Sequence, residues 1–401
     1  MADSKRSFID IKIPPYALRV MERLVAAGEE VYLVGGSLRD TLIGLAPSDY
    51  DMASSALPER TAQILSDMRV IETGLEHGTL TVISDSHPIE ITTFRVDGDY
   101  LDSRHPESVS FTRSIEEDLA RRDFTVNAMA CSKDGELVDL FFGREDIANK
   151  KIRAVGDAKK RFEEDALRIM RAFRFSAQLG FDIDEDTLLA AEALKDKLSN
   201  ISRERIGAEF IKLICSKYPK KPLLQMRERG IFPFVLGDIC PSEKLIGLLD
   251  LMPDCDISRL GFLMSGSDEA QARRALRELR CSNKQVLGAL AVAKGSDRCI
   301  REAKDAALLR KDFGDNAIYA AHASVLLGNS KSGAIVLVEK DATPVTVSDL
   351  AIDGGDLIAL GIVGREIGKT LYYLLGEVID DPRLNTKEKL TELTLKKQKE
   401  E

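Results

Sequence analysis

The sequence predicts a mixed α/β unit in its first third, followed by a remainder built of helices. Two patterns predict this. Short β-type runs, separated by turns and brief helical stretches, fill the first third, and from about residue 158 apolar residues recur at three- and four-residue spacing while β-type runs become rare. A third observation is length: at 401 residues the chain exceeds what one hydrophobic core usually organises, so two to four packed units are expected.

The β-type runs are VYLVGG (31–36), YDMAS (50–54), GTLTVIS (78–84), IEITTFRV (89–96) and ELVDLF (136–141). Helical patterns such as SLRDTLIG and PERTAQILSDM lie between them. In the later part, Ile206, Phe210, Leu213 and Ile214 fall on one face of a helix. Helix breakers at KYPKKP (217–222), around Pro241 and Pro253, at GSDEA (266–270) and at GNSKSG (328–333) mark boundaries. They divide the chain into residues 1–147, 148–222, 223–328 and 329–401. The charged end, TLKKQKEE, reads as a solvated, frayed helix terminus.

Several function classes are disfavoured by composition. No run of about twenty apolar residues occurs, and the start, MADSKRSFIDIK, lacks a basic region followed by an apolar stretch, so a soluble cytoplasmic protein is expected. The cysteines, Cys131, Cys215, Cys240, Cys255, Cys281 and Cys299, include no CxxC pair and no histidine at zinc-ligand spacing. They read as reduced thiols, mostly packed in cores. None of His77, His87, His105 and His322 is followed by Asp, which removes a His-Asp phosphohydrolase cluster from consideration. The net charge of −9 argues against a surface that is basic throughout but leaves local patches open.

The chemistry begins at VYLVGGSLRDTLIGLAPSDYDMAS: a strand, a glycine pair, a short helix, then Asp49-Tyr50-Asp51. In extended backbone, residues i and i+2 point to one side, so Asp49 and Asp51 present two carboxylates about 7 Å apart along one face. That spacing suits two magnesium ions roughly 4 Å apart, an arrangement that activates an attacking hydroxyl and steadies a leaving pyrophosphate. Gly35 and Gly36 let backbone approach a triphosphate, and the start of the Ser37 helix offers free N–H groups to it. An isolated DxD is most often an exposed acidic turn. The order of glycines, Arg39 and DxD makes the signal specific.

Together with RRDFTVNAMA (121–130) and EEDALRIMRAFRFSAQLGF (163–181), LVGGSLRDTLIG-x4-DYD resembles the successive motifs of bacterial tRNA nucleotidyltransferases and poly(A) polymerases, over roughly residues 25–215 and weakly beyond. The resemblance implies an α+β polymerase-β-type nucleotidyltransferase palm, followed by all-α neck, body and tail domains. It implies tRNA, CTP and ATP as partners and addition of CCA to the tRNA 3′ end, with Asp49 and Asp51 as catalytic metal ligands. An A-adding enzyme or a poly(A) polymerase shares these motifs and is the close alternative; an RNA-binding protein with an inactive palm is the non-enzymatic one. By position, Arg122 should contact phosphate, with Asp123 and Asn127 near the sugar. The plainer reading of these three is an Arg-Asp surface pair at a helix start.

A helix beginning near Phe162 should carry Asp165, Arg168, Arg171 and Arg174. Each step of three turns a helix by about 300°, so neighbours are adjacent, but Asp165 and Arg174 end on opposite faces and cannot all grip one base. Asp165 and Arg168 can. A carboxylate accepts from an exocyclic amine and a guanidinium donates to a ring acceptor, which matches cytosine and adenine and mismatches uracil and guanine. The family resemblance adds Arg171 and Arg174 to the nucleotide site. The alternative is an exposed ion-pair ladder.

Glu90, on the same strand face as Thr92, reads as an ordinary solvent-facing residue, with a weaker case as a third carboxylate. Segment 97–113 is rich in charges and turn formers, and in CCA-adding relatives a loop here helps the site switch from C to A; its full length favours complete CCA or A addition. Lys150, Lys151, Arg153, Lys159, Lys160 and Arg161 continue into Arg168, Arg171 and Arg174 against only four acidic residues, forming a basic stripe suited to RNA phosphates. ISRERIGAEF (201–210) resembles a family segment supporting the Asp165 helix, with Arg205 either structural or functional. AIDGGDLIALGIVGREIGKTL resembles tail segments of clostridial-type CCA enzymes, where glycine turns hold RNA phosphates; two plain helix caps are the alternative.

Overall fold

A computed structural model of the chain describes residues 6–47, 49–74, 78–97 and 109–400. It divides into two compact units, Met1–Phe234 and Val235–Glu401. The boundary expected at 222/223 falls inside the helix Lys220–Glu228, and the division lies at 234/235. No helix among the described residues is long and apolar enough to cross a membrane.

The strands of the first unit are β1 (Arg6–Phe8), β2 (Val31–Val34), β3 (Tyr50–Ser54), β4 (Arg69–Gly74), β5 (Thr79–Ser84), β6 (His87–Thr93), β7 (Arg95–Asp97), β8 (Val109–Phe111), β9 (Ala130–Cys131) and β10 (Glu136–Val138). Eight of them form one sheet in the order β1-β10-β9-β2-β3-β6-β5-β4, and β7 pairs with β8 separately. Every neighbouring pair of that sheet is antiparallel except β3 and β6, which run parallel. The segment between β7 and β8, where the expected C-to-A switching loop falls, lies outside the described residues.

The helices of this unit are α1 (Pro15–Ala26), α2 (Gly35–Leu42), α3 (Pro58–Ile64), α4 (Ile115–Ala120), α5 (Gly143–Ala148), α6 (Ala158–Glu164), α7 (Leu167–Leu179), α8 (Glu185–Ala193) and α9 (Arg203–Ile214). Ala17, Val20, Met21 and Leu24 make one apolar stripe of α1, which packs with Val31, Met52, Val82, Ile89 and Ile91 of the sheet. Tyr32 and Val34 alternate with Val31 and pack on the opposite face with Phe94, Ile115 and Leu119. All four residues of β2 are therefore buried, which explains why VYLV reads as a continuous apolar run. Each such large side chain contributes roughly 1.5–3 kcal/mol on burial.

YDMAS forms a strand over the residues expected, whereas VYLVGG yields strand only as far as Val34, because the backbone turns into α2 at Gly35. The helical remainder holds one small β feature, Lys151–Ile152 paired in parallel with Asp182–Ile183. The expected continuous helix from Phe162 is broken: α6 ends at Glu164, and Asp165 takes extended backbone with φ −140° and ψ 103° before α7 begins.

In the second unit, Leu350, Ile352, Leu357, Leu374, Leu375 and Val378 pack with Ala307 in one cluster, and a second gathers around Ala306, Leu309 and Ala320. The glycine-rich tail segment forms the helices Gly354–Ala359 and Arg365–Asp380, the first opened by a capping box between Asp353 and Asp356. Of the six cysteines only Cys131 is buried, so the expectation that most pack in cores is corrected. Cys240 and Cys299 are exposed.

Candidate active site

One cavity of about 670 Å³ in the first unit is lined by all twelve residues singled out in the sequence: Gly35, Gly36, Arg39, Asp49, Asp51, Arg122, Asp123, Asn127, Asp165, Arg168, Arg171 and Arg174. Asp49, Asp51 and Glu90 line the β3–β6 side, and the sides built by α2, the segment after α4, and α7 are rich in guanidiniums, with Asp123 and Asp165 among them.

On the acidic wall, Asp51 lies on β3 and Asp49 one residue before the strand begins. The parallel register sets Asp51 opposite Glu90 of β6, and Glu90 also lines the cavity. Glu90 is exposed, as its reading as a solvent-facing strand residue expects, and its place on the cavity wall beside Asp51 adds to its case as a third carboxylate. Burial, then the negative charges of Asp49 and Glu90, push the Asp51 carboxyl up to about 6, against the pull of Arg122. Such mutual repulsion is relieved by a cation. No set of three or more His, Cys, Asp or Glu groups suited to hold a metal occurs among the described residues. Magnesium is commonly held by one or two carboxylates, with water and substrate phosphates completing its shell, and Asp49 and Asp51 fit that requirement.

Next to this wall, Gly35 sits at φ +67°, where β2 turns into α2. A Cβ there would lie 3.5 Å from Arg122 Nη1 and 3.7 Å from an Asp51 oxygen. The Ser37 hydroxyl donates to Val34 O at 2.8 Å and accepts from Asp51 N at 3.3 Å, tying the start of α2 to the Asp51 backbone.

Four of the expected residues form one hydrogen-bonded chain. Arg39 Nη1 donates to Asn127 Oδ1 at 2.7 Å, Asn127 Nδ2 to Asp123 Oδ1 at 3.3 Å, and Arg171 Nε to Asp123 Oδ2 at 2.8 Å. Burial would raise the Asp123 carboxyl, but the Arg171 guanidinium and the Asn127 amide outweigh it and hold it at about 2. Asp123 is thus a buried, ionised member of an internal network, which corrects the surface-pair alternative.

At Asp165, the carboxylate accepts from Leu167 N at 3.0 Å through Oδ1 and from Arg205 Nη2 at 3.0 Å through Oδ2. Capping of its own downstream backbone is why the helix breaks here. Released from the helix, Asp165 faces the same cavity as Arg174, so the inference that the two sit on opposite faces fails along with the helix it assumed. Arg168 donates to Glu164 at 2.8 Å, to Arg161 O at 3.1 Å and to Arg121 O at 2.9 Å. Arg174 pairs with Glu209 of α9 and donates to Gln178 at 2.7 Å. The exposed ladder is therefore not what these residues form; Arg168 and Arg174 are each only 8% exposed.

Sequence reasoning passed over Phe175, whose ring has the guanidinium carbons of Arg39, Arg171 and Arg174 at 5.3, 5.2 and 3.9 Å from its centroid. Its place directly after Arg174 was the available signal.

Residues 31–153 match the family described as Poly A polymerase head domain, and residues 180–242 match that described as Probable RNA and SrmB- binding site of polymerase A. The CCA-adding enzyme of Streptococcus sanguinis is 46% identical over 257 residues, 64% of this chain and 62% of that protein. The CCA-adding enzyme of Leuconostoc citreum is 37% identical over 376 residues, 90% of each chain. Among solved structures, the Bacillus stearothermophilus CCA-adding enzyme in complex with CTP superposes with a TM-score of 0.82 at 31% identity, over 96% of this chain and 98% of that one. With the acidic and cationic walls of the cavity built from the motifs that carry the likeness, the chain belongs to the family of CCA-adding enzymes.

Proposed function

We propose that this protein adds CCA to the 3′ end of tRNA from CTP and ATP without a nucleic-acid template, using two magnesium ions on Asp49 and Asp51. The observation that carries this reading is the lining of one cavity, in which the Asp49, Asp51 and Glu90 side suits cations and the arginine-rich side, with Asp165, suits a triphosphate and a base edge. When bound, the ions would supply activation of the tRNA 3′-hydroxyl and neutralisation of charge on the departing pyrophosphate.

The chain's own residues bind and orient. Gly35 and Gly36 admit the triphosphate beside the N–H groups opening α2, with Arg39 and Arg122 as counter-charges. Asp123 and Asn127, rigid within their network, stand at the sugar. Asp165 and Arg168 read the base: an ionised carboxylate accepts from the amine of cytosine or adenine, and uracil or guanine would leave buried polar groups unpaired, which costs a few kcal/mol. Arg171 and Arg174 complete the cationic wall. The helical residues beyond 147 serve as neck, body and tail, with the tail, residues 329–401, gripping tRNA.

The decisive experiment is extension of tRNA transcripts lacking CCA, ending in CC, or ending in CCA, with magnesium chloride and each nucleotide alone or together. Addition of three residues and then arrest supports the reading. Addition only to the CC-ending transcript would make it an A-adding enzyme, and a long A tract a poly(A) polymerase. Asp49→Ala should abolish turnover and leave tRNA affinity intact. Loss of discrimination against UTP and GTP in Asp165→Ala tests the base reading. Deleting residues 345–401 should weaken tRNA binding, but it also removes Leu357, Leu374 and Val378 from a core. Alanine at the exposed Arg365 and Tyr372 tests the tail without that damage.

A further inference from the structure

Asp118 is a buried carboxylate with no part in the chemistry described above. It lies on α4, its side chain only 1% exposed, directly behind two guanidiniums that line the cavity. Its Oδ1 accepts from Arg121 Nη2 at 2.7 Å and Nε at 3.0 Å, and from Arg95 N at 3.3 Å. Its Oδ2 accepts from Arg122 Nη2 at 2.9 Å and Nε at 3.3 Å. The spacing is local: Arg121 and Arg122 follow it by three and four residues, so a single helical turn brings both cations onto one acid.

The way Arg122 is gripped has a directional result. Asp118 takes the Nε and Nη2 edge of the guanidinium, and Nη1 donates to Asn127 O at 3.4 Å. Nη1 is also the atom facing Gly35, 3.5 Å from where a Cβ there would stand. The planar group is held at both ends, with its Nη1 end turned towards the glycine turn and Asp51. A flexible arginine pays rotamer entropy whenever it meets a ligand; one clamped in place has paid it on folding.

We propose that Asp118 is a positioning residue of the nucleotide site, a buried carboxylate that aims the Arg122 guanidinium at the triphosphate. This rests on the reading of Arg122 as a phosphate contact. Charge alone makes the opposite forecast: Asp118 cancels one of two positive charges beside the site, so its neutralisation would tighten binding of a polyanion. The two accounts therefore differ in sign.

The test is a double-mutant cycle in the full-length protein with Asp118→Asn, Arg122→Ala and the pair. It follows the KM for CTP and ATP on CCA-lacking tRNA, with inhibition by inorganic pyrophosphate and the thermal midpoint alongside. Positioning predicts that Asp118→Asn raises KM for both nucleotides on the order of tenfold. It predicts pyrophosphate inhibition weakened by the same factor, kcat little changed, and no added effect in the Arg122→Ala background. A lowered KM, or an effect undiminished in that background, overturns the proposal. An Arg122→Ala enzyme with unchanged KM instead refutes Arg122 as a phosphate contact. If Asp118→Asn does not fold, Asp118→Glu keeps the charge and shifts it by one methylene; raised KM is then expected, and wild-type KM overturns the idea.

Discussion

At Gly35 the backbone leaves the sheet in the left-handed region that an L side chain enters at a cost of roughly 1–2 kcal/mol. Gly35→Ala should lower stability by about 1 kcal/mol. Because the added methyl meets Arg122 and Asp51 only at ordinary contact distance, the fold should survive, and on the proposed reading the methyl would intrude on the approach of the phosphates. Urea midpoints and CTP affinity check the two halves separately. Asp123 carries a pH signature. Its folded value of about 2 lies below that of an unfolded aspartate, so its contribution is full above about 4 and is lost as the pH falls towards about 2. The shift corresponds to about 2 kcal/mol. Asp123→Asn should therefore be less stable than wild type at pH 7, and the gap should narrow between pH 4 and pH 2. A constant gap in urea midpoints across that range would contradict the assignment.

At the scale of elements, α7 organises the cationic wall around one ring. Phe175→Leu removes the face shared by Arg39, Arg171 and Arg174 and the edge contact with Phe124, whose ring centroid lies 5.7 Å away. It should cost about 1–2 kcal/mol and raise KM for CTP and ATP together, as steady-state kinetics would report. How far such elements could be foreseen depended on locality. The glycine pair, Arg39, Asp49 and Asp51 were legible because a strand, a turn and a short helix bring them together within some twenty residues of chain. Glu90 was legible only as a weak candidate, since its place beside Asp51 comes from a parallel pairing between strands separated by α3, β4 and β5. The break at Asp165 was not legible: no glycine or proline marks it, and the residue is held by its own downstream backbone and by Arg205 of α9. The exposed ladder stayed open as an alternative for Arg174 because its partner, Glu209, lies on another helix.

At the scale of the molecule, every residue lining the cavity, from Val34 to Arg205, belongs to the first compact unit. A fragment of residues 1–234 should therefore fold and bind CTP in magnesium with stoichiometry and affinity like those of the full chain, as calorimetry would measure; failure to bind would mean that the second unit completes the pocket. The overall charge of −9 coexists with the basic run through residues 150–175, so RNA affinity should fall steeply with salt despite the acidic total. The chain of bonds from Arg39 through Asn127 and Asp123 to Arg171, beside the bonds that Arg205 and Glu209 of α9 make to Asp165 and Arg174, has a consequence for synthesis on the ribosome. When the sheet and its acidic wall have emerged, the nascent protein holds the carboxylates, the glycine turn and the Asn127 bond to Asp123, but neither the Arg171 partner of Asp123 nor Asp165 and Arg168. On the proposed reading, the arginine-rich side of the nucleotide site is completed only once α7 and its α9 partners have been made, so a half-made chain should bind CTP or ATP weakly.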